Sequence, residues 1–396
     1  MPASQQQPVI LSAKRTPVGR FLGSLSAVPS PDLAAYAIGG VFEEHPSVRE
    51  HVDECIFGCV LQAGVGQNPA RQAGLKAGLP ETLSAQTVNK VCGSGLQAVM
   101  LAAQSIKAGD NELVLAGGME NMTRAPHFAH IRAGVKFGPG TLEDHMASDG
   151  LFCAFEKCMM GDSADYIAQK YEISREDQDR FAARSHRLAA EATKQGYFAS
   201  EIVKLSAEQC MQRKGDGLSV DEGIRSETNM DGLGKLRPAF AKDGTVTAGN
   251  ASQISDGAAA LVVASAQKAE QLGIKPLAKI VAYHTSGVAP KDIFRAPSLA
   301  VPAVVEKAGL TLKDIDLFEL NEAFAAQALQ NVREADVPEE RVNVCGGAVA
   351  LGHPIGASGA RVLTTLLHQM VRLDVRRGVA ALCLGGGNAV AVVVER

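Results

Sequence analysis

The sequence predicts an α/β fold made of two related halves. Short apolar runs without polar alternation, typical of strands buried on both faces, alternate with segments of helical periodicity. One order of features also occurs twice, at residues 92–118 and 356–387: a glycine turn, a helix, a strand and a glycine cluster. The predicted strands are PVILSAKRTP, DECIFGCVLQ, AQTVNKV, ELVLAGG, AAALVVAS, LAKIVAYHTSG, IDLFEL and GVAALCLGGGNAVAVVVE.

The predicted halves differ in what they contain. We expect the first to span residues 1–270 and the second residues 271–396, because Gly273 and Pro276 punctuate the junction. Residues 120–250 break the pattern with long irregular segments around one amphipathic helix, capped by Ser174 with Asp177 three residues on. Such an insertion in a compact α/β chain is more often functional than idle.

Composition narrows the class of protein. Lys and Arg total 39 against 43 Asp and Glu, a net charge of −4, which does not fit a nucleic-acid binder. Eight cysteines in 396 residues are not a disulfide framework and fit a reducing compartment. We find no stretch long enough for a signal peptide or for the ~18 apolar residues of a membrane span. We therefore expect a cytoplasmic protein without nucleic-acid or membrane partners.

Cys92 lies at a junction that suits a reactive thiol. In VNKVCGSGLQAVMLAAQSIKAGD, an apolar run reaches Cys92, and Gly-Ser-Gly then opens a predicted buried helix. If the helix begins near Gly93, its free N–H groups and positive dipole face the sulfur, and both would lower the pKa of the thiol. Gly93 and Gly95 leave room for a substrate. A buried structural cysteine is the alternative reading of this stretch.

His353 lies in a Gly-rich loop, NVCGGAVALGHPIGASGARVL, that leads into a helix. A thiol nucleophile needs a neighbouring base, and histidine is the usual one. The loop also has a faint similarity to a phosphate cradle, but it lacks the lysine of G-x-x-x-x-G-K-[ST]. From this loop alone, an ordinary loop histidine is an equal alternative.

Cys383 ends an apolar strand just before three glycines, whose backbone N–H groups can bind an oxyanion. Two thiols and a histidine at strand ends form a candidate acyl-transfer set. Zinc is the rival interpretation, but Cys92, Cys383 and His353 lack the paired short spacing of structural zinc sites, so we expect no metal.

Asn321 follows the predicted strand IDLFEL and precedes a predicted helix. It could cap that helix, or it could instead hold a catalytic water.

Six blocks together resemble the thiolase family of acetyl-CoA C-acyltransferases. They occur in the family's order and cover essentially the whole chain: VCGSGLQAV, GGMENM, GNASQISDGAAALVV, LNEAFAAQA, GGAVALGHPIGASGAR and CLGGGNAVA. The resemblance implies two halves in α/β/α layers, with a CoA-binding loop domain inserted in the first. It also implies a homotetramer (a dimer of dimers) or a dimer, coenzyme A thioesters as substrates, and no cofactor or metal.

The resemblance also assigns roles. Cys92 matches the nucleophile that becomes acylated, His353 matches its base, and Cys383 matches the second thiol, which moves the proton at the substrate α-carbon or on the leaving thiol. Asn321 matches the residue that holds a water in one oxyanion hole, beside His353. The backbone at Cys92 and Gly385 matches the second oxyanion hole. The implied substrate and CoA contacts are Ser252, Met160, Arg225, Leu236, Ala248, Phe240 and Phe324.

Three departures from the family pattern concern the acyl chain rather than the chemistry. Met159 stands where the family often has a histidine. Gln253 and Ser255 stand where glycine and asparagine are common. The run from Ile293 to Pro297, IFRAP, replaces the Met-Gly-Thr-Gly-Pro of short-chain members. Met160, which matches the methionine that narrows the acyl pocket, favours a short chain.

These observations predict an acyltransferase that joins two acetyl-CoA into acetoacetyl-CoA and CoA, or runs the reverse thiolysis. The alternative within the class is a broader 3-ketoacyl-CoA thiolase of fatty-acid β-oxidation. A non-catalytic acyl-CoA- or lipid-binding relative would be expected to lose one of Cys92, His353 and Cys383. A decarboxylating ketoacyl synthase would have a histidine in place of Cys383.

Overall fold

The structure is a computed structural model that describes residues 6–396, and its centre is one mixed sheet of ten strands. One of the ten is the two-residue strand Gly19–Arg20, which pairs with β5 below. The longer strands are β1 (Pro8–Arg15), β2 (Glu54–Gly58), β3 (Ser84–Val88), β4 (Leu113–Asn121), β5 (Ser255–Ser265), β6 (Ala278–Gly287), β7 (Leu317–Leu320), β8 (Arg377–Leu384) and β9 (Asn388–Glu395).

The sheet has the same order on each side of its middle. The strands lie in the order β7-β8-β9-β6-β1-β5-β4-β2-β3, and β6 and β1 meet antiparallel at the centre. Going outward, β1-β5-β4 and β6-β9-β8 are both antiparallel, and each run then adds one parallel strand, β2 or β7. This repeated pairing is what two related halves would give, and β3 is an addition at the edge of the first half.

Helices cover both faces of the sheet, which confirms the predicted α/β class. The helices are α1 (Ser30–Glu44), α2 (Pro69–Lys76), α3 (Ser94–Ala108), α4 (Met160–Lys170), α5 (Arg175–Lys194), α6 (Met230–Gly234), α7 (Ala266–Leu272), α8 (Ala296–Lys307), α9 (Ala325–Glu334), α10 (Ala348–Leu351) and α11 (Ser358–Arg372). Successive strand residues point to opposite faces of the sheet: those on one face pack on α3 and α11, and those on the other pack on α1, α2 and α8.

Residues 120–250 hold α4, α5 and α6, two small hairpins and long irregular stretches. The hairpins pair His127–Phe128 with Glu143–Asp144 and Phe152–Cys153 with Cys158–Met159. The predicted cap of α5 is present, since Ser174 Oγ accepts a hydrogen bond of 3.0 Å from the Asp177 backbone N–H. Among the described residues, no helix combines the length and the apolar character needed to cross a membrane.

The first turns of α3 and α11 touch through glycine. A Cβ on Gly359 would lie 2.3 Å from the backbone nitrogen of Leu96, and one on Gly95 would lie 2.7 Å from that of Ala360. Both contacts are to backbone atoms, which cannot turn aside as a flexible side chain does. The contact brings together the two loops that precede these helices.

We therefore expect Gly359→Ala to lower the free energy of unfolding by at least about 2 kcal/mol, because the added methyl meets backbone. The matched control is Gly39→Ala in α1, where a Cβ meets nothing within 4 Å. It should be neutral or stabilising by up to about 1 kcal/mol, since alanine is the better helix former. Denaturant titration of both variants measures the difference, and equal stabilities would contradict the close contact.

Candidate active site

A cavity of about 550 Å³ opens near the N-terminal ends of α3 and α11, and its walls are mainly apolar. The candidate residues that line it are Cys92, Met160, Arg225, Phe240, Ala248, Ser252, Phe324, His353, Cys383 and Gly385. Asn321 lies behind the wall, 1% exposed, and Leu236 is on the surface outside the cavity. Of the departures, Met159, Gln253 and Ile293 also contribute to the wall.

Cys92 is held in a tight turn between β3 and α3. Val91 adopts a left-handed backbone (φ 49°), and Ser94 Oγ accepts from the Lys90 N–H at 2.8 Å while donating to the Val91 carbonyl at 2.6 Å. The helix begins at Ser94, as predicted. The backbone N–H groups of Gly385 and of Cys92 itself lie near the sulfur and favour its thiolate form.

The prediction that the pKa of the Cys92 thiol is lowered is wrong for the free site. The pKa of Cys92 is raised to about 11. Burial is the largest cause and the nearby Glu120 carboxylate adds to it, while the N–H groups of Gly385 and Cys92 act in the opposite direction. Desolvation penalises the thiolate more than two backbone donors stabilise it. The Cys92 thiol of the free site is therefore neutral.

Cys383 stands next to Cys92 at the end of β8. It is 2% exposed, and its pKa is raised by burial first and by the neighbouring Cys92 sulfur second. The hairpin from β8 to β9 turns at Gly386 and Gly387, which have φ of 85° and 95°. This turn presents the Gly385 N–H to the cavity, so the strand end supplies both a thiol and a backbone donor.

His353 is fixed by its own backbone and by its ring. Its N–H donates to the Gln253 carbonyl at 3.0 Å, and its Nδ1 lies 2.6 Å from Ser358 Oγ. The Ser358 hydroxyl donates to the Pro354 carbonyl at 2.9 Å, so its oxygen is left to accept from Nδ1–H. The unprotonated nitrogen is then Nε2, which has no hydrogen-bond partner among the described residues.

Burial also sets the charge of His353. It lowers the pKa of the imidazole to about 3, with a smaller contribution from the Arg361 guanidinium. The ring is therefore neutral at pH 7. A neutral imidazole with a free Nε2 can accept a proton, which a protonated one cannot.

Asn321 does not cap a helix. It follows β7, and α9 begins only at Ala325 with Phe324 before it, so the helix-cap interpretation is wrong. Its Nδ2 lies 3.5 Å from His353 Nδ1, and its Oδ1 is buried without a partner among the described residues. The predicted neighbourhood of Asn321 and His353 is therefore present.

The sequence does not predict the role of Glu120, although this residue lies in the block GGMENM. Its buried carboxylate accepts from the N–H groups of Val60, Leu61 and Gly356, at 2.9 to 3.1 Å. Burial raises its pKa to about 7 against these hydrogen bonds. Gly356 belongs to the loop that carries His353, so Glu120 ties that loop to the segment after β2. Only the fold reveals this role, because the partners are backbone groups distant in sequence.

The rest of the wall shapes an apolar binding space. Phe324 packs edge-to-face on Phe240 and Phe294, with ring centroids 6.3 and 5.4 Å apart. The Gln253 amide donates to the carbonyls of Gly223, Val349 and Ala350, so this departure from the family pattern joins three segments behind the site. Among the described residues, no cluster of three His, Cys, Asp or Glu side chains could hold a metal.

This arrangement suits acyl transfer. Two thiols and a neutral imidazole line one apolar cavity, and two backbone N–H groups lie near the Cys92 sulfur. Donors placed in this way stabilise the oxyanion of a tetrahedral intermediate on that sulfur.

Comparisons with known proteins agree with the geometry. A family model described as "Thiolase, N-terminal domain" matches residues 8–267, and one described as "Thiolase, C-terminal domain" matches residues 274–396. Proteins named "Acetyl-CoA acetyltransferase" from Chromobacterium violaceum and Pseudomonas aeruginosa are 52% and 50% identical to this chain, covering 98% and 99% of it and 99% and 100% of their own lengths. A "Probable acetyl-CoA acyltransferase" from Staphylococcus aureus is 51% identical, covering 98% of each chain.

A solved structure gives the same result. The crystal structure of the Bacillus anthracis acetyl-CoA acetyltransferase is 40% identical to this chain, covers 99% of both chains and superposes with a TM-score of 0.95.

Proposed function

The chain belongs to the thiolase family, and we propose that it is an acetyl-CoA C-acetyltransferase that reversibly condenses two acetyl-CoA into acetoacetyl-CoA and CoA. The observation that carries the proposal is the convergence of Cys92, His353, Cys383 and the Gly385 N–H on one apolar cavity. The names of full-length relatives at about half identity support the same activity.

In the first half-reaction, Cys92 takes the acetyl group from acetyl-CoA. His353 Nε2 accepts the thiol proton as the sulfur attacks the thioester carbonyl, and the N–H groups of Cys92 and Gly385 hold the oxyanion. The departing CoA sulfur takes the proton of Cys383, so His353 keeps the Cys92 proton on Nε2 and Cys383 becomes a thiolate. The acetyl-Cys92 intermediate splits a difficult condensation into two steps.

In the second half-reaction, Cys383 removes an α-proton from a second acetyl-CoA. The enolate oxygen is held by the protonated Nε2 of His353 and by a water bound to Asn321, whose side chains lie 3.5 Å apart. The α-carbon attacks the carbonyl of acetyl-Cys92, the C–S bond breaks, and the Cys92 sulfur regains its proton from His353. Each preorganised donor of this kind is worth about 3–4 kcal/mol of transition-state stabilisation. A neutral thiol, recovered between turnovers, avoids leaving a permanent charge in an apolar site.

The binding assignments complete the proposal. Ser252, Ala248, Phe240 and Phe324 line the path that we assign to the pantetheine arm and the acyl group. We assign Arg225, in the cavity wall, and Leu236, on the surface outside it, to the nucleotide end of CoA. Met160 narrows the acyl end and favours acetyl. A broader 3-ketoacyl-CoA thiolase is the second candidate, because two wall residues depart from the expected pattern: Met159 replaces a histidine common in the family, and Ile293 begins the run that differs from short-chain members.

The remaining parts of the proposal concern partners and organisation. We propose CoA thioesters as the only small-molecule partners, with no further cofactor, and a cytoplasmic location. We also propose that the two halves divide near residue 270, with the CoA-binding insertion at about residues 120–250 in the first.

The division of labour between the two thiols can be tested with Cys383→Ala. The variant should still gain one acetyl group on Cys92 from acetyl-CoA, because acylation needs His353 and the backbone donors. It should fail to exchange the α-protons of acetyl-CoA with deuterated solvent, since a base must lie within hydrogen-bond distance of the proton it removes.

Mass spectrometry locates the acetyl group, and NMR measures the exchange. Cys92→Ser is the control, and its rate of turnover should fall by orders of magnitude. An acetyl group found on Cys383 in the wild-type protein would overturn the nucleophile assignment, and wild-type exchange in Cys383→Ala would return the role of base to His353.

We propose a homotetramer built as a dimer of dimers. Strand β3 forms a free edge of the sheet with half-exposed side chains, which is a surface for pairing with a second chain. The segment at residues 129–142 exposes Ile131, Val135 and Phe137, the last almost completely, and apolar side chains in irregular backbone are normally covered by a partner.

Light scattering should therefore give the mass of four chains. Phe137→Asp should release dimers, because a buried unpaired carboxylate weakens the contact between the pairs. The control Val371→Asp changes an exposed apolar residue of α11 and should leave the tetramer intact. A stable, active wild-type monomer would refute this arrangement.

A further inference from the structure

A small hairpin, which we call the flap (residues 151–159), borders the cavity. Its strands Phe152–Cys153 and Cys158–Met159 pair antiparallel, and the Lys157 N–H donates to the Cys153 carbonyl at 2.9 Å. Leu151 and Met159, at the two ends, line the cavity. Phe155 at the tip is exposed. Its ring lies 3.4 Å from the position that a Cβ on Gly386 would take, in the turn between β8 and β9.

The flap places two cysteines directly opposite each other. Cys153 and Cys158 are register partners in the antiparallel pair. Such partners point to the same face of the ladder with Cα atoms about 4.5–5.5 Å apart, which falls within the range of about 4.4–6.8 Å found in disulfides. Both thiols are free.

Only weak contacts hold the two sulfurs. Cys153 Sγ accepts from the Glu156 N–H at 3.4 Å, and Cys158 Sγ lies 3.6 Å from Ser163 Oγ. Thiols are poor donors and acceptors, so rotation about the two Cα–Cβ bonds can bring the sulfurs together at small cost. Cys158 is partly exposed while Cys153 is buried, so an oxidant from solvent meets Cys158 first.

We propose that Cys153 and Cys158 are a reversible oxidation site whose disulfide clips the flap and restricts entry to the cavity. The Cys158 thiolate attacks hydrogen peroxide, forming a sulfenic acid and releasing hydroxide. The Cys153 thiol then attacks the sulfenic sulfur, the S–S bond forms and the hydroxyl leaves as water. In total, two thiols and one peroxide give one disulfide and two waters, and a small dithiol reverses the reaction.

The clip affects the site through Leu151 and Met159. These two wall residues flank the paired strands, so cross-linking Cys153 to Cys158 fixes the spacing between the segments that carry them. The catalytic groups lie on other elements and stay in place. This restriction of entry rests on the proposed function, whereas formation of the disulfide does not.

Peptide mapping tests the disulfide without reference to activity. Trypsin cleaves after Lys136, Lys157 and Lys170, so Cys153 and Cys158 fall into two peptides, 137–157 and 158–170, with one cysteine each. After brief treatment of the whole protein with hydrogen peroxide and alkylation of the remaining thiols, the two peptides should be joined and should separate on reduction. Cys158→Ser should abolish the joined species, and Cys210→Ser, a cysteine outside the cavity wall, should not.

Recovery of peptides 137–157 and 158–170 only as separate, alkylated or irreversibly oxidised species would overturn the proposal. So would a joined species linking Cys92 to Cys383 in their place.

Initial rates test the restriction of entry. They should be measured in the condensation direction, because the CoA consumed in thiolysis is itself a thiol that would reduce the disulfide. The oxidised wild-type protein should lose several-fold in kcat/KM relative to an equally treated Cys153→Ser/Cys158→Ser variant, in which any oxidation of Cys92 is the same. A dithiol should restore the wild-type value. Equal losses in both proteins would show that the clip does not restrict entry.

Discussion

The close contact between α3 and α11 is the constraint on which the rest of the structure depends. Each helix begins just after one of the candidate residues or its loop: α3 after Cys92, and α11 after the loop that carries His353. Glycines at 95 and 359 let the two first turns approach at backbone distance. The two halves of the chain, whose strands follow the same order outward from the centre, thereby bring Cys92 and His353 to one place.

Burial of that place decides the charges of its groups. Burial raises the pKa of Cys92 to about 11 and lowers that of His353 to about 3, so both groups are neutral at rest. The backbone donors of Cys92 and Gly385 are not strong enough to hold a thiolate there. In the proposed reaction they instead hold the oxyanion that forms when a thioester carbonyl arrives, so the proton moves as that charge develops. Ser358 and Glu120 contribute by orienting the imidazole and its loop.

Much of this could be predicted from local sequence. The strands and the start of α3 are set by apolar runs and glycine turns within a few residues, and the quoted blocks identify the family. Three features could not be predicted because they depend on residues distant in the chain. The pKa of Cys92 follows from burial by both halves. Asn321 does not cap α9, because the loop after β7 continues to Phe324 before the helix begins at Ala325. Cys153 and Cys158 become partners only through the register of the flap.

Cys92 and His353 are both neutral in the free protein, and nitrogen NMR of the protein labelled with ¹⁵N-histidine measures the protonation of the His353 ring directly. The chain has nine histidines, and His353→Asn assigns the relevant signals by their loss. The His353 ring should be neutral from about pH 5 to 8, with the proton on Nδ1 and a bare Nε2, because its pKa lies well below the usual value for histidine. An imidazolium spectrum at pH 7, with both nitrogens protonated opposite a Cys92 thiolate, would contradict it.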